Sequence, residues 1–303
     1  MSAPVRSLQA GDLQLELGSR ALLMGIVNAS PDSFSDGGLH VGLDARLALA
    51  RELQQTGAEI IDIGGESAST GSPPVAEREE IERVVPLIER VVGELGALVS
   101  VDTYKPAVAR AAIAAGARIV NDVSGLRDPE LASVCAESGA ALVLMHTRAA
   151  PRERLQDPDL YGEIVDEVLA FLTERMAIAQ QMGMRAEQIV LDPGPDFAKT
   201  PAQTIRLLRE LERLHELGRP VLLAISRKDF IGALTGRAPR ERLAGTLAAL
   251  AYGLDCGAHI FRVHDVAAAA DFMAVRAALA GELEPGRDLA LGEEIRYDRL
   301  LAD

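Results

Sequence analysis

Eight short apolar runs, each breaking off on a polar or charged residue, constrain this chain more than any other feature. They read LLMGIVN (22–28), EIIDIGG (59–65), ALVSVD (97–102), RIVNDV (118–123), ALVLMH (141–146), QIVLD (188–192), PVLLAIS (220–226) and HIFRV (259–263). Each is nearly continuously apolar, as a strand buried on both faces of a parallel sheet must be. Helical text separates them. LDARLALARELQQTG (43–57) has apolar positions three and four apart and a glycine stop. EREEIERVVPLIERVVGEL (77–95) repeats the pattern with acidic residues in the first turn, where the helix dipole favours them. Eight near-even strand–helix repeats predict an α/β fold, a (β/α)8 TIM barrel. A doubly wound sheet competes, and the even spacing favours closure.

The 303 residues suit one domain, with the barrel over about residues 20–281. Ahead of it, SLQAGDLQLELGSR (7–20) alternates weakly around turn residues and reads as a short hairpin at the barrel bottom. Behind it, GELEPGRDLALGEEIRYDRLLAD (281–303) is charged and weakly periodic, a peripheral tail or a subunit contact.

Apolar residues make up 48% of the chain and aromatics only 3%, so the core is built from Ala, Leu, Val and Ile. The net charge of −14 argues against nucleic acid or anionic membrane as a partner. No run of 18 apolar residues occurs, and the first residues lack the apolar stretch of a signal peptide. Cys135 and Cys256 stand alone in Ala-rich helical text, which reads as two free buried thiols in a reducing cytoplasm. The GxGxxG, P-loop, HExxH and GxSxG patterns are all missing, which removes the sequence support for a nucleotide fold, a zinc protease or a serine hydrolase.

In such a barrel, chemistry gathers at the C-terminal ends of the strands. Those ends carry Asn28, Asp62, Asp102, Asn121 with Asp122, His146, Asp192, Ser226-Arg227-Lys228, and Arg262 with His264. Single polar ends meet water in many strands. Eight together need a further reason, because buried carboxylates are costly without a partner. Asp102, Asn121 and Asp192 offer acceptors and one amide, a set that matches a flat heterocycle with an amidine-like edge. Arg262 and His264 lie two positions apart, so both point one way from an extended strand. With Lys228 they form a cationic group suited to pyrophosphate or a carboxylate. The competing reading pairs Arg262 with the rim carboxylates. Met145 lines the pocket floor or belongs to the core, His259 is structural, and His40 and His215 sit on the surface.

These residues fall in motifs that resemble the dihydropteroate synthase family. MGIVNASPDSFSDGG (24–38), DIGGES (62–67), SVDTYKP (100–106), NDVSG (121–125), LMH (144–146), LDPG with Phe197 and Lys199 (191–199), SRK (226–228) and RVHDV (262–266) follow in that family's order. The resemblance spans roughly residues 20–280. It implies a pterin-binding barrel that joins dihydropterin pyrophosphate to p-aminobenzoate with Mg²⁺, releasing pyrophosphate, in a homodimer formed through helices late in the barrel. It implies pterin contacts at Asp102, Asn121, Met145, Asp192 and Lys228. It implies pyrophosphate contacts at Asn28, Arg262 and His264, with Asn28 also meeting the metal. Phe197, Ser226 and Lys228 would border the aminobenzoate, and Asp102, Lys228, Arg262 and His264 would carry catalysis. The segment ASPDSFSDGG (29–38) would form a lid over the site.

Three places depart from the family pattern. Ala68-Ser69-Thr70-Gly71 replaces Thr-Arg-Pro-Gly after GGES and removes a cation. Gly194-Pro195-Asp196-Phe197-Ala198-Lys199 replaces Gly-Phe-Gly-Phe-Gly-Lys and adds an acid, expected near the aminobenzoate carboxylate. Ala224 stands where the family has Gly, an added methyl expected to crowd the substrates. These changes leave two other readings beside the synthase: a pterin-binding paralogue without condensing activity, and a methyltransferase acting on a methylated folate. Ser69→Arg is expected to tighten product inhibition by pyrophosphate about tenfold or more, the worth of one charge-assisted contact. An unchanged inhibition constant would show the loop to be misaligned.

Overall fold

The computed structural model describes residues 4–18, 20–29, 42–66 and 74–292. The chain enters through an antiparallel hairpin, β1 (Arg6–Ala10) and β2 (Leu13–Leu17). Its two-residue loop is Gly11–Asp12, and Gly11 has φ +66°, the left-handed value such a turn needs. Eight strands follow: β3 (Leu22–Asn28), β4 (Ile60–Gly64), β5 (Leu98–Asp102), β6 (Ile119–Asp122), β7 (Ala141–Met145), β8 (Ile189–Asp192), β9 (Leu222–Leu223) and β10 (Ile260–Val263).

They pair in parallel in the order β8-β7-β6-β5-β4-β3-β10-β9. A bridge between Leu191 and Val221 joins the two ends, supported by Leu191 N donating to Pro220 O at 2.9 Å. Neighbours in sequence are therefore neighbours all round the ring. A doubly wound sheet would reverse its order at a switch point, and none occurs here. The run at 220–226 delivers only two ladder residues. Pro220 has no N–H to give, and the chain turns away after Leu223 towards Arg227, whose φ is +59°.

Helices cover the outside. The amphipathic segment expected at 77–95 is the helix Glu77–Leu95, which buries Val84, Leu87, Ile88 and Val91 against the strands. The one expected at 43–57 is Leu43–Gln55, closed by Thr56 and by Gly57 at φ +117°. One apolar cluster lies between strands and helices. A second fills the barrel's lower interior with Met24, Ile60, Ile119, Val143, Val190, Leu222 and Ile260. Leu8, Ala10 and Leu17 of the hairpin belong to this interior cluster, so the hairpin plugs the bottom as its pattern suggested. His259 anchors the same end: its Nε2 meets Pro4 O at 2.8 Å, and its Nδ1 accepts from Val221 N at 3.1 Å. Residues 30–38 of the expected lid, His40, the departure at 68–71 and the tail beyond 292 lie outside the described residues.

Leu8 is fully buried in the plug. Leu8→Ala should therefore cost about 2–5 kcal/mol in urea unfolding, and a loss below about 1 kcal/mol would remove the hairpin from the core. His259 offers a pH test. Burial pushes its pKa down to about 4, and a proton on Nδ1 would displace the Val221 amide. Unfolding then takes up a proton between pH 6.5 and 4. The advantage of wild type over His259→Gln is full above pH 6.5 and shrinks as the pH falls, by about 1.4 kcal/mol per unit. A constant difference between pH 7 and pH 4.5 would contradict it.

Candidate active site

Side chains alternate along a strand, so the apolar interior residues determine which polar ones face the same way. Ile60 precedes Asp62 by two positions, Ile119 precedes Asn121, Val143 precedes Met145, Val190 precedes Asp192 and Ile260 precedes Arg262. Leu98 precedes Ser100 and Asp102, and Met24 lies four before Asn28. All of these polar side chains therefore point into the upper barrel, directly above the apolar plug. Asp102, Asn121 and Asp192 share one compartment.

Arg262 is the centre of that compartment. Its Nε donates to Asp62 Oδ2 at 2.6 Å and its Nη2 to Asp102 Oδ2 at 2.8 Å. Asn121 Nδ2 donates to the same Asp62 oxygen at 3.2 Å. In this state the rim carboxylates do meet the Arg262 charge. Burial pushes the Asp102 carboxyl up to about 7, with Asp62 adding to the rise and Arg262 opposing it. Asp192 is raised by burial as well, against the Gly194 amide at 2.7 Å and the charges of Lys228 and Lys199. Asp62 Oδ1 and Ser100 Oγ, register partners on β4 and β5, are buried with no hydrogen-bond partner among the described residues. The sequence places Asp62 at the rim and gives it no role. Its spacing from Ile60 was the signal that links it to Asp102.

The expected cationic trio is corrected to a pair. Burial, then Arg227 and Arg262, push His264 down to about 3, so it is neutral at pH 7. Its Nδ1 lies 3.0 Å from Ser226 Oγ, which also accepts from His264 N. Lys228 sits with Nζ 4.3 Å from the Phe197 ring centroid, and burial lowers its pKa. Between them, Arg227 grips Asp265 through Nε at 3.1 Å and Nη2 at 2.7 Å, tying the loop after β9 to the loop after β10.

Two strand ends leave the mouth. Asp122 faces outward and accepts from Ser124 N at 2.7 Å and Leu126 N at 2.5 Å, a turn-forming use of the carboxylate. His146 also faces outward, edge-on to Phe171 at 4.8 Å. Its Nδ1 meets Lys199 Nζ at 2.8 Å. Lys199 is fully buried and donates to Gly194 O and Phe197 O, holding the loop after β8. Asp196 in that loop lines the cavity beside the mouth together with Phe197, and its charge acts on Lys228. Its carboxylate accepts from Asp229 N and Thr204 Oγ1. The Ala224 methyl joins the interior lining.

Beside the mouth lies a cavity of about 210 Å³ whose walls include Asp102, Tyr104, Arg152 and Phe197. Glu66 ties its wall together, accepting from Tyr104 Oη at 2.9 Å and Lys105 Nζ at 2.5 Å and pairing with Arg152. Among the described residues, no group of three or more His, Cys, Asp or Glu is arranged to hold a metal ion. Asn28 supplies one hard amide oxygen at the mouth. That fits Mg²⁺, which keeps several waters and shares substrate phosphate oxygens rather than needing a protein cage.

Barrel, plugged bottom and polar mouth define a (β/α)8 protein with charged and amide side chains gathered at the C-terminal ends of its strands. The chain belongs to the pterin-binding enzyme family, whose pattern it matches over residues 24–264. A dihydropteroate synthase of Bacillus subtilis is 47% identical over 248 residues, covering 82% of this chain and 84% of that protein. Among solved structures, Xanthomonas albilineans dihydropteroate synthase with 4-aminobenzoic acid superimposes with a TM-score of 0.83 at 43% identity, covering 91% of this chain and 99% of that one. The same enzyme in complex with 7,8-dihydropteroate gives 0.80 at 42%, over 90% and 98%.

Proposed function

We propose that this chain is a transferase of folate biosynthesis that condenses 6-hydroxymethyl-7,8-dihydropterin pyrophosphate with p-aminobenzoate to give 7,8-dihydropteroate and pyrophosphate. The observation that carries the reading is the convergence of Asp62, Asp102, Asn121, Asp192 and Arg262 on one mouth. It is supported by the dihydropteroate synthase relatives, one of which binds 4-aminobenzoic acid and 7,8-dihydropteroate.

Asp192 and Asn121 hold the pterin edge, where adjacent N–H groups want acceptor oxygens. Met145 and Lys228 border the ring. The C–O bond from the pterin methylene to pyrophosphate breaks first, and its electron pair leaves on oxygen. Arg262 and the neutral His264 receive that oxygen through N–H donors. Asn28 would hold Mg²⁺, whose charge would help neutralise the leaving group. The positive charge left on the pterin methylene faces Asp102, which is drawn to its ionised form by that charge. The aminobenzoate, bordered by Phe197, Ser226 and Lys228, then adds through its amine nitrogen to form the C–N bond. The amine's proton passes to water or to pyrophosphate, so no strong base is required.

The acidic surface and the free buried cysteines suit a cytoplasmic enzyme with small-molecule substrates. No helix among the described residues is long and apolar enough to cross a membrane. A homodimer through late barrel helices is supported by the exposed apolar residues Tyr252, Val275 and Leu279. The decisive measurement is pyrophosphate release from purified protein given both substrates and Mg²⁺. Tight pterin binding without release would instead leave a non-condensing binder, and methyl transfer to a corrinoid would indicate the methyltransferase. Asp192→Ala should weaken pterin binding about 10–100-fold, the worth of a charged hydrogen bond. An unchanged affinity in calorimetric titration would refute the pterin pose.

A further inference from the structure

We infer that Asp196 is a positioning residue that clips the Phe197 loop to the Lys228 loop and thereby sets the affinity for the aromatic amine substrate. The inference rests on the proposed reaction. The Phe197 loop is unusual in its backbone. Gly194, Asp196 and Ala198 have φ of +65°, +65° and +50°, so two residues bearing Cβ atoms occupy left-handed conformations within three positions. Each such residue costs about 1–2 kcal/mol relative to the right-handed form, and the related motif has glycine at both. A loop that carries this strain needs side-chain contacts that offset it.

Asp196 supplies them. Its Oδ2 accepts from Asp229 N at 2.5 Å and Phe230 N at 3.3 Å, the two residues directly after Lys228. Its Oδ1 accepts from Thr204 Oγ1 at 3.0 Å, and the same hydroxyl accepts from Asp196 N at 3.0 Å. Thr204 is fully buried on the helix Pro201–Arg209, so the clip is fastened to a rigid element. The other loop is fixed from behind by Arg242, whose Nη1 donates to Arg227 O at 2.9 Å and Lys228 O at 3.1 Å. The product of these contacts is the 4.3 Å approach of Lys228 Nζ to the Phe197 ring. That pair is the aromatic face and cation that a benzoate-type acceptor would use. The clip thus makes the spacing of the acceptor subsite depend on one carboxylate in the cavity wall whose oxygens hold the two loops together.

The test separates this role from a merely structural one. Asp196→Gly deletes the clip and relaxes the backbone, so thermal stability should change little. The KM for p-aminobenzoate should rise about tenfold, while the KM for the pterin pyrophosphate should stay within about twofold. Asp196→Asn, which keeps one acceptor oxygen and turns the other into a donor, should recover part of the loss, and Thr204→Val should reproduce part of it. Hydrogen exchange should speed up together at the Phe197 and Phe230 amides in Asp196→Gly. An unchanged aminobenzoate KM, or equal rises for both substrates, would overturn the clip. A wild type that releases no pyrophosphate overturns the proposed reaction instead, and exchange then decides alone: amides that stay protected in the variant overturn the clip.

Discussion

A guanidinium held between two carboxylates inside the barrel is the interaction on which the rest of this structure depends. Arg262 reaches Asp62 and Asp102 from a strand two and three places round the ring. Burying three charges costs several kcal/mol per ion before the pairing offsets it, and apolar residues would fill the same space more stably. The arrangement makes sense only if the charges are wanted. The apolar plug beneath them makes it tolerable. Leu8 and Leu17 close the bottom, so the polar layer has solvent on one side only and its fields act upward, where a ligand enters.

The same layering explains why so much of the fold was legible. Strands buried on both faces write themselves as unbroken apolar runs, and all eight occur where those runs lie. The helix Glu77–Leu95 has the span its spacing of Val84, Leu87, Ile88 and Val91 implied. Period two then carries over to the mouth, because Asn121 and Asp192 follow interior apolar residues by two. The unread part depends on neighbours distant in the chain. Period two sends His146 outward, opposite Met145, but nothing local names Lys199 as its partner. The loss of charge at His264 comes from burial, which a single chain segment does not record. The β9 ladder is short because Pro220 and the turn at Arg227 bracket it.

Asp196 illustrates the limit most directly. As a letter it is one more acid near a substrate carboxylate. In the fold its oxygens are consumed by Thr204 and by the backbone at Asp229 and Phe230. The converse holds for Asp62, which looked like an ordinary strand end and proves to share an oxygen between Arg262 and Asn121.

The two-residue β9 has a consequence for how the ring breathes. Eight strands close on themselves, yet the seam between β8 and β9 is stitched by a single bridge. Opening the cylinder there breaks fewer backbone hydrogen bonds than at any neighbouring pair with a full ladder. Phe197 and Lys228 stand on opposite banks of that seam. An occupant lying across both would act as a stitch, so filling the site would tighten the barrel wall itself, and the resistance of the whole cylinder to unravelling would grow with the concentration of its own substrate.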